Sequence, residues 1–211
     1  MSKYNIIMEI ISYKFYEDYK YNKSFTKILQ KRISEINNRY DLKVNDDELI
    51  KEYFVEVFSW SVLSKNILKQ IEKILKSNNI FKIIDPCCGN GFHTYLLKEF
   101  CNFEVISVDI QKEKESWIDI IEEDGRKYIK NMDKNLQKEH ALLLSWIDYE
   151  NLCLDLLSIS NTNILINIGN YEEKCPIYMK TVREKFNLIE KIVLNMPWNL
   201  TENVEIYILK K

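Results

Sequence analysis

Hydrophobic positions along this chain keep two different periods, and the change falls near residue 79. Before it, apolar side chains recur every three or four residues. Tyr4, Ile7, Met8, Ile11, Phe15 and Tyr19 make one stripe, and Phe25, Ile28, Leu29, Ile33 and Ile36 make another. That spacing lines up one face of a helix. Asn45 followed by Glu48 has the form of a capping box, opening a helix through Leu49, Tyr53, Phe54 and Val57. Ser64 stands where it can cap a further helix carrying Ile67, Leu68, Ile71, Ile74 and Leu75, and Ser77-Asn78-Asn79 breaks that pattern. From residue 80 onward, short β-rich runs appear at 80–84, 104–108, 117–121, 141–145, 163–168, 188–194 and 203–209. The first five are largely apolar instead of alternating, as strands buried on both faces are. Most gaps between runs can hold a helix or a helical turn. The pattern therefore predicts an α/β fold with a doubly wound, mostly parallel seven-stranded sheet over 79–211, preceded by a helical segment over 1–78. Only residues 195–202 separate the last two runs, too few for a helical crossover, so the last strand is expected to return antiparallel.

Composition narrows this picture without redirecting it. A length of 211 residues suits one domain of ordinary size, or a domain with an appended helical piece. A hydrophobic content of 46% can supply a sizeable core. No apolar run approaches the ~20 residues of a membrane span. The residues after Met1 are broken by Lys3, Asn5 and Glu9, so no signal peptide is read and a cytoplasmic setting is expected. A net charge of −2 argues against whole-surface attraction to nucleic acid or to an anionic membrane. Through Lys43 there are nine basic residues against five acidic ones, a local excess read as a solvated helix face. Of the five cysteines, Cys87 and Cys88 are adjacent and the rest are scattered, with no C-x-x-C spacing. His93 and His140 are far apart, so reduced thiols and no metal site are expected.

The candidate chemistry sits where glycine is spent. The chain has only four glycines, and two of them, Gly89 and Gly91, fall in Ile83-Ile84-Asp85-Pro86-Cys87-Cys88-Gly89-Asn90-Gly91. This segment follows an apolar run and precedes the amphipathic stretch Phe92 to Phe100, which reads as strand, tight turn, helix. Glycine there permits positive φ and close approach of a ligand to the main chain. Eighteen residues after Gly91, the run Val105-Ile106-Ser107-Val108 ends in Asp109. A glycine turn after one strand and a carboxylate at the tip of the next is an arrangement that holds an adenosine ribose. Two families use it: nicotinamide-dependent dehydrogenases and methyltransferases that use S-adenosylmethionine. The dehydrogenase fingerprint wants a third glycine for helix packing, and Thr94 stands there instead.

The segment from Phe81 to Lys211 resembles the class I S-adenosylmethionine-dependent methyltransferases, whose sheet is Rossmann-like. Their first motif is an acid followed by glycines at alternating positions, places taken here by Asp85, Cys87, Gly89 and Gly91, with Cys87 where a glycine is usual. The resemblance implies that the main chain from Cys87 to Gly91 passes along the methionine part of the cofactor. It implies that Asp85 faces the cofactor's amino group, that Asp109 accepts the ribose hydroxyls, that Ile110 packs on the adenine and that Asp124 meets the adenine amino group. A narrower resemblance joins Phe58-Ser59-Trp60-Ser61, Ile83 to Leu97, Leu142 to Tyr149, Ile166-Asn167-Ile168-Gly169-Asn170 and Pro197-Trp198 to a little-characterised methyltransferase-like group. In that group the fourth strand ends in Ser/Cys-Trp-Pro-Pro-Tyr and the fifth in Gly-Glu. Here Ile147-Asp148 replaces the prolines and Asn170 the acid. The spelling Asp85-Pro86-Cys87-Cys88-Gly89 is also similar to adenine-N6 DNA methyltransferases, although only Tyr149 survives of their Asn-Pro-Pro-Tyr motif.

The resulting expectations are a methyltransferase with an unidentified small-molecule, protein or nucleic-acid acceptor, with S-adenosylmethionine as cofactor and no metal or membrane partner. The alternatives are a catalytically idle binding module built on the same sheet and an adenine-N6 enzyme. Trp146, Asp148 and Tyr149 follow the fourth strand at its carboxyl end, where open α/β sheets bind ligands, and are the candidate catalytic residues. Ser145 precedes them and is grouped with the cofactor. Trp60 reads equally as a pocket lid or as core filler, and Asp124-Gly125 equally as a simple turn. Asp148 reads as a base or as an exposed loop acid. His93 is expected to be a packed or solvent-facing imidazole, and Cys88 an inert thiol buried against the sheet.

Overall fold

A computed structural model describes residues 18–19, 21–39, 51, 54–196 and 201–211 of the chain. The stripe from Tyr4 to Phe15, the capping box at Asn45 and Glu48, and Pro197-Trp198 lie outside them. Helix α1 (Lys23–Arg39) and helix α2 (Lys65–Ser77) precede the sheet. Then come β1 (Lys82–Asp85), α3 (Phe92–Cys101), β2 (Glu104–Asp109), β3 (Ile121–Glu122), α4 (Gly125–Asn131), α5 (Lys134–Lys138), β4 (His140–Ser145) and α6 (Glu150–Ile159). The chain closes with β5 (Ile164–Gly169), α7 (Tyr171–Lys174), α8 (Pro176–Lys185), β6 (Phe186–Asn195) and β7 (Thr201–Leu209).

The strands form one sheet in the order β3-β2-β1-β4-β5-β7-β6. Pairings among the first five are parallel, while β7 runs antiparallel to both β5 and β6. The last strand returns as the short connection required. The third expected run does not form a strand over 117–121; only Ile121–Glu122 pair with β2, and both are exposed. Trp117 and Ile120 are apolar for a different reason, since their side chains are buried from a loop.

Period-2 alternation sorts the central strands between two cores. Ile83, Leu143, Ile166 and Ile168 face one core with α2, α3 and the described N-terminal residues. Ile84, Leu142, Leu144 and Leu165 face the other, built with residues of α4, α6 and α8. Ser64 caps α2 as its position predicts, accepting from the Ile67 amide at 3.4 Å.

The N-terminal residues are fastened to the sheet by an aromatic knot. Trp117 lies within 5.7 Å (ring centroid to centroid) of Phe25, Phe58, Phe92 and Tyr95. Its indole N–H donates to the Val57 carbonyl at 2.8 Å. Arg32 of α1 ties to the same loop, donating to the Glu113 carboxylate at 3.0 Å and to the Glu115 carbonyl. Trp117→Phe keeps most of the ring packing and orphans the Val57 carbonyl. We expect a loss of about 1–3 kcal/mol, read as a lower urea midpoint with an unchanged m-value.

Candidate active site

At the carboxyl ends of β1, β2 and β4, a cavity of about 620 Å³ opens. It sits where strand order reverses between β1 and β4, the crevice in which doubly wound sheets bind ligands. The turn after β1 forms one wall. Gly89 and Gly91 both hold left-handed backbone, φ +55° and +77°, which side-chain-bearing residues adopt at a cost. Their surroundings differ. A Cβ on Gly89 would meet nothing within 4 Å, leaving an open cradle on the cavity side. A Cβ on Gly91 would come within 2.5 Å of the Ile118 side chain, so this glycine serves protein packing and not the approach of a ligand.

The turn and the tip of β2 converge. The Gly89 amide donates to Asp109 Oδ2 at 2.8 Å, and the Gln111 amide donates to Oδ1 at 3.2 Å. Ile110, beside it, is 73% exposed on the rim. Asp85 is buried at the end of β1, accepting from Thr94 Oγ1 at 2.9 Å and from the Cys87 amide at 3.4 Å. Burial raises its carboxyl to about 7 against the lowering effect of those bonds. Asp124 caps α4 and accepts from the Arg126 guanidinium at 2.6 Å, which holds it down to about 2. Asp124 is thus a helix N-cap instead of part of a simple turn, and its carboxylate is already paired at the cavity edge.

The opposite wall comes from β4 and the N-terminal part. Trp146 holds φ +53°, an uncommon backbone for a bulky residue. The bend lays its indole against Gly169, where an added Cβ would lie 3.3 Å from the ring. Its Nε1–H donates to Ser61 Oγ at 2.6 Å, and Ser61 in turn donates to Glu202 of β7. Trp60 is half exposed, its ring 5.4 Å from that of Trp146, so it lines the cavity as a lid would. Asp148 and Tyr149 are exposed at the mouth. Cys87 and Cys88 also line the cavity. Cys88 is only half buried, which corrects the expectation of a thiol buried against the sheet, while burial of its sulfur still pushes the thiol upward. Of the residues singled out from sequence, only Gly91 stands behind the lining.

Two polar residues were not foreseen as part of this site. Glu202 is buried, and burial raises its carboxyl to about 7 against bonds from Ser61 and Trp146. His93 is buried as well, and its ring bridges Ser145 Oγ (2.7 Å), Ser59 Oγ (2.9 Å) and the Ser61 carbonyl (3.0 Å). Burial lowers its pKa to about 4. The position of His93 in the first turn of the helix after the glycine turn was the only available signal, because its partners come from two distant stretches, one carrying Ser59 and Ser61 and the other Ser145. Among the described residues no group of three or more His, Cys, Asp or Glu side chains could hold a metal ion. No described helix is long and apolar enough to cross a membrane.

An unfolded aspartate or glutamate titrates near 4, whereas folded Asp85 and Glu202 titrate near 7. Between those values the folded state keeps protons that the unfolded chain has lost. The contribution of these two groups to stability therefore falls as pH rises from about 4 to about 7 and levels off above, while buried His93, protonated in the unfolded chain up to about 6.5, opposes it with one group against two. Asp85→Asn is expected to flatten part of that decline, leaving the share of Glu202, in urea midpoints taken from pH 4 to 8. An unchanged decline would mean that Asp85 is ionised throughout.

No protein-family model matches this chain, and no curated protein matches it in sequence. Solved structures do. TrmN from Thermus thermophilus aligns with a TM-score of 0.51 at 14% identity, over 70% of this chain and 49% of its own. A methyltransferase from Geobacter sulfurreducens aligns with a TM-score of 0.50 at 8% identity, over 85% of this chain and 96% of its own. NodS from Bradyrhizobium japonicum, solved with S-adenosyl-L-homocysteine, aligns at 0.47 and 10% identity, over 90% and 100%. The first two likenesses, with the strand order above, show that the chain shares their Rossmann-like fold.

Proposed function

We propose that this protein is an S-adenosylmethionine-dependent methyltransferase. The observation that carries the reading is the meeting of Gly89 and Asp109 at 2.8 Å on the wall of a cavity of about 620 Å³, within the size range of small-molecule sites. The residues present fit the cofactor. The open cradle at Gly89 leaves room beside the main chain, and the half-buried Asp109 carboxylate can accept two ribose hydroxyls. Such charge-assisted bonds are worth roughly 1.5–3 kcal/mol each. Asp85, at the floor of the crevice, would take the amino group, with the main chain from Cys87 to Asn90 along the methionine part. Ile110 would cover the adenine, with Asp124 at its edge. Trp60 and Ser145 complete the wall, and the described N-terminal residues Val55, Glu56 and Ser59 add to it.

When bound, S-adenosylmethionine supplies a methyl carbon activated by its sulfonium charge. The chain's task is then to align an acceptor about 3–3.5 Å from that carbon and to exclude water. Trp146, Asp148 and Tyr149 stand at the open side of the cavity, where an acceptor would enter. Asp148 and Tyr149 are exposed enough to meet it directly. Ile147 replaces a proline of the narrower motif, and its amide donates to Tyr171 Oη at 3.1 Å, a bond that proline could not make.

S-adenosylmethionine or S-adenosylhomocysteine at about 100 times its dissociation constant should add about 2.7 kcal/mol of stability and raise the melting temperature by several degrees. Asp109→Ala should remove most of that shift, measured from the variant's own ligand-free melting temperature, which falls with the lost bonds from the Gly89 and Gln111 amides. The absence of a shift with either ligand would remove the cofactor reading.

A further inference from the structure

The hydrogen bonds around His93 fix its protonation. The Ser61 carbonyl can only accept, so the ring nitrogen facing it at 3.0 Å, Nε2, carries the hydrogen. Ser59 Oγ, 2.9 Å from the same nitrogen, donates its own proton to the Ser61 carbonyl at 2.8 Å and so accepts from Nε2 as well. Nδ1 of the neutral ring is then a bare lone pair, and Ser145 Oγ, 2.7 Å away, donates its hydroxyl proton to it. Ser145 and His93 both line the cavity. Toward the cavity, Ser145 therefore presents only oxygen lone pairs. It can accept a proton from a ligand while passing its own to an imidazole held in the receiving tautomer.

From this geometry we infer that Ser145 and His93 form a proton relay that deprotonates an alcohol or phenol acceptor during methyl transfer. The inference rests on the methyl-transfer reading above and names the acceptor class. Amines and thiolates attack a sulfonium methyl without a positioned base, whereas a hydroxyl needs its proton removed as the bond forms. The acceptor oxygen forms a bond to the methyl carbon, and the carbon–sulfur bond breaks with its electron pair going to sulfur. The hydroxyl proton passes to Ser145 Oγ, and the Ser145 proton passes to His93 Nδ1. The products are a methyl ether, S-adenosylhomocysteine and an imidazolium that later loses its proton to solvent. The positive charge of the cavity is conserved, moving from sulfur to the ring.

Burial keeps the ring neutral beforehand, with a pKa of about 4, so it adds no repulsion toward the sulfonium; the same burial makes it a weak base, and in this scheme it takes the proton only as the sulfonium charge is discharged. Other titratable groups of the site are Asp85 at the end of β1, held by Thr94 and Cys87, and Glu202 on β7, held by Ser61 and Trp146. Neither is among the hydrogen-bond partners of the ring in the described residues. In this scheme Ser145 touches the acceptor and is catalytic, and His93 acts through it.

Three measurements test the relay. In the ligand-free protein, nitrogen NMR of the imidazoles, with His93→Asn to assign the signal, should show a protonated Nε2 and a bare Nδ1 for His93. A protonated Nδ1 would overturn the proposal without any substrate. Next, label from methyl-labelled S-adenosylmethionine is followed into a cell extract and the methylated fraction is characterised. A labelled methyl ether is expected; label only on nitrogen or sulfur would overturn the relay. With that fraction as substrate, Ser145→Ala and His93→Asn should each lower kcat by roughly 100-fold or more, and His93→Asn should keep the S-adenosylhomocysteine melting shift. His93→Asn keeps an acceptor for the Ser145 hydroxyl but no base, so a merely supporting role predicts near-normal turnover in that variant. The deficit of His93→Asn should shrink as pH rises, because hydroxide replaces the missing base; a pH-independent deficit would speak against proton transfer. A melting shift with no label transfer would sink the relay and leave an idle binding module, whereas the absence of any shift would sink the cofactor reading itself.

Discussion

The reversal of strand order at β1 is the constraint on which everything else in this molecule depends. β1 pairs in parallel with β2 on one side and β4 on the other, so the connections leaving β1 and β4 depart to opposite faces of the sheet. A crevice opens between them at the carboxyl ends because no helix can fill it from either side. The register that pairs Asp85 with Ser107 brings the turn after β1 level with the tip of β2. That is why a backbone amide at Gly89 can meet a carboxylate twenty residues further along the chain.

Around the crevice, burial sets the protonation of the polar groups more than their charged neighbours do. Asp85 and Glu202 are raised and His93 is lowered, all primarily because a charge there would lose its water. Each hydrogen bond they accept or donate works against or with that cost. Asp124 shows the contrast: it is solvated at the cavity edge, beside Arg126, and its charge is stabilised. One site thus holds a carboxylate that is ionised at neutral pH, two that are poised near it, and an uncharged imidazole. Such divergence among neighbouring groups is what proton-handling sites require.

The wall facing the sheet is supplied from far away in sequence. Ser59 and Ser61 fix the tautomer of His93, Ser61 also takes the Trp146 indole proton, and Glu202 closes the chain of bonds from β7. The stretch carrying these serines is held in place by Phe58, packed with Phe25, Phe92 and Trp117. The aromatic knot and the polar network are therefore one mechanical unit, with the apolar rings outside and the hydrogen bonds at the cavity.

Local pattern alone determined the period change near residue 79, the parallel strands, the antiparallel return of β7, the Ser64 cap and the pairing of the glycine turn with Asp109. Each rests on residues close in the chain, where spacing translates directly into backbone geometry. Pattern misread Trp117 to Ile121 as a strand because apolar residues look alike whether a ladder or a loop buries them. It assigned Gly91 to ligand approach when the neighbouring Ile118 is what requires it. It undervalued His93 and passed over Glu202, since burial and tautomer are set by partners tens of residues away. Only the tertiary structure decided those, because a side chain's charge state depends on which polar atoms and how much water surround it, and no spacing along one strand or helix records that.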